Sequence, residues 1–472
     1  MAHKHYTRRS FLSTLSGGCA AVGVTSLLSG LTNMGLLNAA AAANRSHILQ
    51  PQNQYRALVC IFLAGGNDSF NMLLPRGNAE YAEYAARRTN LAIPQNQILP
   101  LNPANSVDRQ LGLHPNLPDI KGLFDAGDVA LVANLGTLVE PLTKAQYNRF
   151  GEKPQGLFSH SDQQQHWQTS VPQDRSEATG WAGRLADILY TSNNNQNISM
   201  NIAVDTGNTF QKGDHIFPYV IKSGGNGGSV VLNGSNRNNF YETLKRQTLD
   251  NMMDASYQNI LEQAYTHSVK SAVGTSFEFN NGLDSGQPIS TVFPGNRFGE
   301  RLEMAAKTIA ARNQFDVQRQ TFFIQLGGFD THGSKTDHDD LMTTLNAGLK
   351  AFHSAMNELG VQNEVTTFTM SDFGRKLISN GSGSDHAWGS HALLMGGAVN
   401  GNRIYGQYPD LYEDAPLEFG GGRLIPTTSC DEYYADLALW FGASTADIDQ
   451  VFPNIRNFWT PTAGNRPIGF ML

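Results

Sequence analysis

Thr321-Phe322-Phe323-Ile324-Gln325-Leu326, running into Gly327-Gly328-Phe329-Asp330-Thr331-His332-Gly333, is the stretch that decides the fold. A continuous apolar and aromatic run predicts a strand covered on both faces, the habit of strands in a parallel sheet. Four more runs share that character: Ala57 to Leu63, Val129 to Leu135, Val365 to Met370 and Ala392 to Met395. Just upstream, Arg297 to Phe315 has helical apolar spacing, and downstream Leu341, Leu345, Leu349, Phe352 and Met356 recur at that spacing within His338 to Leu359. Strand, helix and strand, with connections long enough for a right-handed crossover, predict an α/β fold with a doubly wound, mostly parallel sheet and helices on both faces.

Between about residues 193 and 291 the chain turns rich in Asn, Gly and Ser, with a helical segment near Asn239 to Val273, and this span is expected to be an insertion or cap. The rest of the mature chain is expected to form a single α/β domain over 44–472.

Ligands bind open α/β sheets beyond the carboxyl ends of the strands, so the polar residues there carry the functional reading. Ala57 to Leu63 runs into Gly65-Gly66-Asn67-Asp68-Ser69, and Val365 to Met370 runs into Ser371-Asp372-Phe373-Gly374-Arg375. The last run is preceded by Asp385-His386-Ala387-Trp388-Gly389-Ser390-His391. Carboxylates and imidazoles converging on one edge suit a divalent cation, which makes Asp68, Asp330, His332, Asp372, His386 and His391 candidate metal ligands. Taken singly, Asp68 reads equally well as a turn or cap residue, and His386 and His391 as histidines bonded to backbone. His338, Asp339 and Asp340 read as the first turn of a helix, where the dipole favours acids, and are left out of the site.

A hydroxyl nucleophile is sought in Leu157-Phe158-Ser159-His160-Ser161-Asp162-Gln163-Gln164-Gln165-His166-Trp167, where Ser159 is the candidate. The same serine, or Ser161, reads as the N-cap of a helix, and the two roles are compatible because a helix N-terminus suits an anionic ester.

At the amino end, Thr7-Arg8-Arg9-Ser10-Phe11-Leu12 precedes a weakly apolar Gly/Ser/Ala stretch and the small residues Ala39 to Ala43. This order predicts a twin-arginine signal peptide over residues 1–43, with the translocase as partner and a periplasmic or extracellular destination. Glycines and serines interrupt the roughly 20 apolar residues a membrane span needs, so no stable span is expected after cleavage. The formal charge of −7 becomes about −10 once Lys4, Arg8 and Arg9 are removed, which argues against nucleic acid as a partner. Of three cysteines only Cys60 and Cys430 lie in the mature part, too few for a disulfide framework.

The ordered segments LAGGND, LFSHSDQQ, GWAGR, GGFDTHG, SDFGR and DHAWGSHALLMGGAVNG resemble an exported bacterial family known as domain of unknown function fifteen-oh-one. That family is in turn similar to the alkaline phosphatase and sulfatase superfamily. The resemblance implies an α/β/α sandwich and one or two divalent ions (Zn, Mn, Ca or Mg), with a small-molecule or glycan ester of phosphate or sulfate as substrate. It implies Ser159 as nucleophile, Asp68 and Asp372 as acids of the site, Asp330 with His332 at one metal, and His386 or His391 as the last histidine. Arg375 is the implied partner of a bound phosphate or sulfate. Phe373 departs from the pattern by standing where the superfamily has a histidine. The alternative this leaves is a non-catalytic envelope protein that keeps the fold for binding.

Overall fold

A computed structural model describes residues 54–472 apart from 150, 225–226, 230–239, 256–257 and 463. The signal-peptide reading of residues 1–43 falls outside the described residues. Contacts divide the chain into two compact units, the larger made of residues 47–229 and 279–472.

The larger unit is built on one sheet. Its strands are β1 (Arg56–Ala64), β2 (Val129–Gly136), β3 (Asn201–Val204), β4 (Tyr219–Ile221), β5 (Arg319–Gly327), β6 (Val365–Ser371), β7 (Ser390–Met395), β8 (Arg403–Tyr405) and β9 (Thr428–Ser429). They lie in the order β8-β2-β7-β6-β1-β5-β3-β4, with β9 also on β2. At the centre, β1 is parallel to both β5 and β6, so Leu63 stands level with Leu326 and Ser371. The three central carboxyl ends therefore open on one edge.

Every run expected as a strand is one. The exception to the parallel reading is β7, which is antiparallel to both β2 and β6. Burial on both faces produces the continuous apolar run, and that burial is the same whichever way the neighbouring strand points.

Alternate residues of β1 enter two cores. Ala57, Val59, Ile61 and Leu63 pack with the helices Pro118–Ala126, Arg297–Ala310 and Lys335–Glu358. Leu58, Cys60, Phe62 and Ala64 pack with Trp181–Leu189 and Cys430–Phe441. This period-two division is what a strand between two helical layers requires, and it makes the unit an α/β/α sandwich. Cys60 and Cys430 are buried and free.

Within the span read as an insertion, β3 and β4 are strands of the main sheet, held there by β3 pairing in parallel with β5. Residues 230–278 belong to the second unit, whose described part comprises the helix Phe240–Asp254 and most of Ile260–Asp284. Among the described residues no helix is long and apolar enough to cross a membrane.

Candidate metal centre

The central edge is tight before it is reactive. Gly65, the first residue past β1, has φ +120°, and a Cβ there would lie 2.3 Å from the backbone nitrogen of Asp330. The loops after β1 and β5 thus meet backbone to backbone, an approach only glycine permits. Arg375, after β6, fixes the arrangement from within: its guanidinium donates to the carbonyls of Gly65 (2.6 Å), Gly66 (2.9 Å), Phe329 (3.0 Å) and Ser384 (2.7 Å) and to Asp330 Oδ1 (2.5 Å). It is fully buried, and each of its three nitrogens is engaged. This corrects its expected role: Arg375 ties three loops together from a fully buried position, ion-paired with Asp330, and is not exposed to a substrate anion.

Three imidazoles surround Asp330 Oδ1. The Nε2 atoms of His160, His332 and His386 lie 3.4, 3.1 and 3.4 Å from it, and those of His332 and His386 lie 2.9 Å apart. His160 is the first residue of the helix His160–Thr169, His332 lies in the loop after β5, and His386 ends a short strand whose partner residue is Arg375. A tetrahedral ion with ligands at 2.0–2.1 Å holds its donor atoms about 3.3 Å apart. The contacts to Asp330 Oδ1 match that spacing, and the ligand atoms of His160, Asp330 and His386 all lie within 4.8 Å of one another. His332 meets Asp330 and His386 from one side.

The second nitrogen of each ring decides whether its Nε2 is free to bind. His160 Nδ1 faces Asp372 Oδ2 at 2.6 Å, His386 Nδ1 faces the carbonyl oxygen of Phe158 at 2.8 Å, and His332 Nδ1 faces Asp385 Oδ1 at 3.4 Å. Each of these partners accepts only, so each ring can hold a proton on Nδ1 and leave its Nε2 for an ion, the arrangement of a ligating histidine. His160 Nε2 is buried with no hydrogen-bond donor facing it. The hydrogen bond to Asp372 raises the pKa of His160 against the opposing effect of burial, whereas burial lowers that of His386. Burial alone would raise Asp330, but the hydrogen bond and charge of Arg375 bring it below the usual carboxylate value. Asp385 is held at about 2, first by Asn380 and then by Lys376. The Asp330 side chain is half exposed, so one side of the cluster is open.

The same test removes a second cluster. His114, His338 and Asp339 also lie close enough to share an ion. But His114 Nδ1 accepts from the backbone N–H of Asn116 at 3.0 Å, which puts its proton on Nε2, toward Asp339 Oδ1 at 2.9 Å. Its inward atom is a donor, and the group is a hydrogen-bond network. His391 fails likewise: Nδ1 accepts from Asn134 N–H at 3.0 Å, while the ring stacks on Tyr408. Burial drives its pKa down to about 3, so it is a neutral core histidine and the ligand role expected for it is corrected.

Asp68 and Asp372 change role, and Ser159 shows the N-cap that the sequence also predicts. Asp68 follows β1, but its Oδ2 is paired with the buried guanidinium of Arg88 and it belongs to neither group of possible ligands. Asp372 is at the site without being a ligand: fully buried, it accepts from His160 Nδ1, from Gln164 Nε2 at 2.9 Å and from the backbone N–H of Gly65 at 3.1 Å. Ser159 is the N-cap of the helix that carries His160, its hydroxyl accepting from Asp162 N–H at 3.5 Å and lying 3.1 Å from Ser161 Oγ. Phe373 packs against His160 and His386 with ring centroids 4.8 and 4.5 Å apart, an apolar wall in place of a further ligand.

The profile of the family described as "Protein of unknown function (DUF1501)" matches residues 55–418. The chain belongs to that family. The match takes in every residue of the imidazole cluster. No curated protein sequence matches this DUF1501 chain. Among solved structures it is similar to a sulfatase from Pseudoalteromonas sp., at 10% identity over 82% of this chain and 68% of that one, with a TM-score of 0.33. It is also similar to the C-terminal periplasmic domain of EcEptC from Escherichia coli in complex with Zn, at 8% identity over 73% of each chain, with a TM-score of 0.31. A third likeness is to the alkaline phosphatase PafA, at 10% identity over 68% of this chain and 64% of that one, with a TM-score of 0.23. At these scores the likenesses carry no argument about chemistry.

His160 is the member of the cluster that the sequence did not single out beside its neighbour Ser159. A signal was there: His160 and Gln164 are four apart, hence on one helix face, and both reach Asp372.

Proposed function

We propose that this chain is an exported, metal-dependent hydrolase of the DUF1501 family, binding one divalent cation at His160, His332, His386 and Asp330 and acting on phosphate or sulfate esters. The observation that carries the reading is the convergence of three Nε2 atoms on Asp330 Oδ1, each ring backed by an acceptor at its Nδ1. A nitrogen-rich donor set of this kind suits zinc above calcium or magnesium. A bound ion would supply Lewis acidity toward an ester oxygen. The protein's own part is to hold the ligands: Asp372 fixes the His160 tautomer, and Arg375 holds Asp330 ionised at the edge. The half-exposed face of the cluster leaves an approach for a small-molecule or glycan ester.

The test is stoichiometry and turnover together. Mature protein reconstituted with zinc is expected to hold one ion per chain and to hydrolyse an aryl phosphate or aryl sulfate, and His386→Ala is expected to abolish both. A wild-type chain that retains no zinc, manganese or other divalent ion removes the metal reading.

One observation favours a second reading, a non-catalytic binder: Phe373 stands as an apolar wall against His160 and His386. A chain that binds zinc with full stoichiometry yet turns over neither ester class is the result that selects it.

A further inference from the structure

With Arg375 internally consumed, the ester anion needs another cation. Three cationic side chains bond to residues of the cluster or their immediate partners: Arg375 to Asp330, Lys376 to Asp385 at 3.1 Å, and Arg423 to the carbonyl oxygen of His386 at 3.3 Å. The first two are ion-paired. Arg423 alone of the three has no carboxylate partner among the described residues. Its Nε donates to His386, its Nη1 donates to the Gly420 carbonyl at 3.3 Å, and its Nη2 has no hydrogen bond among the described residues. The guanidinium lies over the Phe158 ring, 4.8 Å from its centroid, and Phe158 is the residue whose carbonyl accepts from His386 Nδ1. The charge is thus seated against His386 and against Phe158, which holds that imidazole, partly exposed, with Nη2 unused.

We propose that Arg423 is the anion-binding residue of this site, presenting its free guanidinium edge to the tetrahedral oxyanion, phosphate or sulfate, of an ester bound at the imidazole cluster. This rests on the metal-centre reading for its location but not for its charge. A stacked guanidinium is pre-organised, so little side-chain entropy is lost on binding, and its planar fork matches two oxygens of such an anion. A lysine at this position would keep the charge without the fork.

The experiment titrates inorganic phosphate, and separately sodium sulfate, by calorimetry into metal-free and zinc-loaded full-length mature protein. Wild type, Arg423→Ala and Arg423→Lys are compared at one ionic strength, with zinc affinity and thermal stability measured in parallel. Zinc affinity is expected to stay within about twofold in both variants. Anion affinity is expected to fall about tenfold or more in Arg423→Ala, the order lost with one charge-assisted bidentate contact, and by less in Arg423→Lys. The tighter of the two anions names the ester class. Equal anion affinity in wild type and Arg423→Ala, or no anion binding by wild type, overturns the assignment. Failure of wild type to bind zinc overturns the metal reading instead, and the metal-free arm still judges Arg423.

Discussion

Replacing Asp372 by Asn tests whether the carboxylate behind His160 sets the metal centre's chemistry. Three donors converge on its two oxygens: His160 Nδ1–H and Gln164 Nε2–H on Oδ2, and Gly65 N–H on Oδ1. Asparagine keeps the volume but offers one oxygen and an NH2 group. If the oxygen stays with His160, the NH2 meets the Gly65 N–H, donor against donor in a fully buried place. If the amide turns over, the NH2 meets His160 Nδ1, which must then become an acceptor, moving the proton to Nε2 and removing the inward lone pair. Either outcome costs about 1–3 kcal/mol of folding free energy, the penalty for a buried polar group left unmatched. Loss of a carboxylate behind a ligating histidine lowers metal affinity by about 10–100-fold, or about 1.4–2.7 kcal/mol. Competition with a chromophoric zinc chelator reads the affinity, and urea unfolding of the metal-free protein reads the stability. Affinity unchanged within about twofold would refute the positioning role. So would a loss as complete as that of His160→Ala, which would make Asp372 a ligand in its own right.

Asp431, fully buried on the helix Cys430–Phe441, has its pKa pushed up by burial to about 7. Its folded pKa lies above the unfolded value near 4, so the fold favours the protonated form. Stability is expected to fall as pH rises from about 4 through 7, by up to about 4 kcal/mol. Asp431→Asn should flatten that slope in pH-dependent urea melts, and an unchanged slope refutes the assignment. Arg88→Met strands the buried Asp68 carboxylate and is expected to cost about 3–5 kcal/mol, with much of it recovered in the double variant carrying Asp68→Asn. Simple additivity of the two in a double-mutant cycle contradicts the pairing. Ser159→Ala is expected to cost about 1 kcal/mol as a lost helix cap while leaving zinc affinity unchanged. Abolished ester turnover without a change in metal content would restore it as nucleophile. Gly65→Ala, which sets a methyl group against the Asp330 backbone, is expected to lower both stability and zinc affinity, and a silent result refutes the close approach.

The central strands could be read directly because burial on both faces writes a continuous apolar run, and the loops after β1, β5 and β6 could be placed on one edge because parallel neighbours share an end. That was enough to bring Asp330, His332 and His386 together across 56 positions. What local sequence does not contain is which partner a polar group meets. Arg88 claims Asp68 from the end of a helix 20 residues on, and Asn134 claims His391 from 257 residues away. The structural role of Arg375 was not legible because four of its five acceptors, on Gly65, Gly66, Phe329 and Asp330, lie 45 or more positions away. The direction of an imidazole proton, which separates the cluster at Asp330 from the one at His114, depends on an atom on another element in nearly every case. Only Asn116, two residues from His114, was near enough to be read locally.

Zinc K-edge X-ray absorption on the zinc-loaded mature protein tests the metal centre most directly. The account predicts three imidazole nitrogens and one carboxylate oxygen at about 2.0–2.1 Å, with one imidazole lost from the first shell in His160→Ala. A shell dominated by water oxygens, or a wild-type spectrum that His160→Ala leaves unchanged, contradicts it.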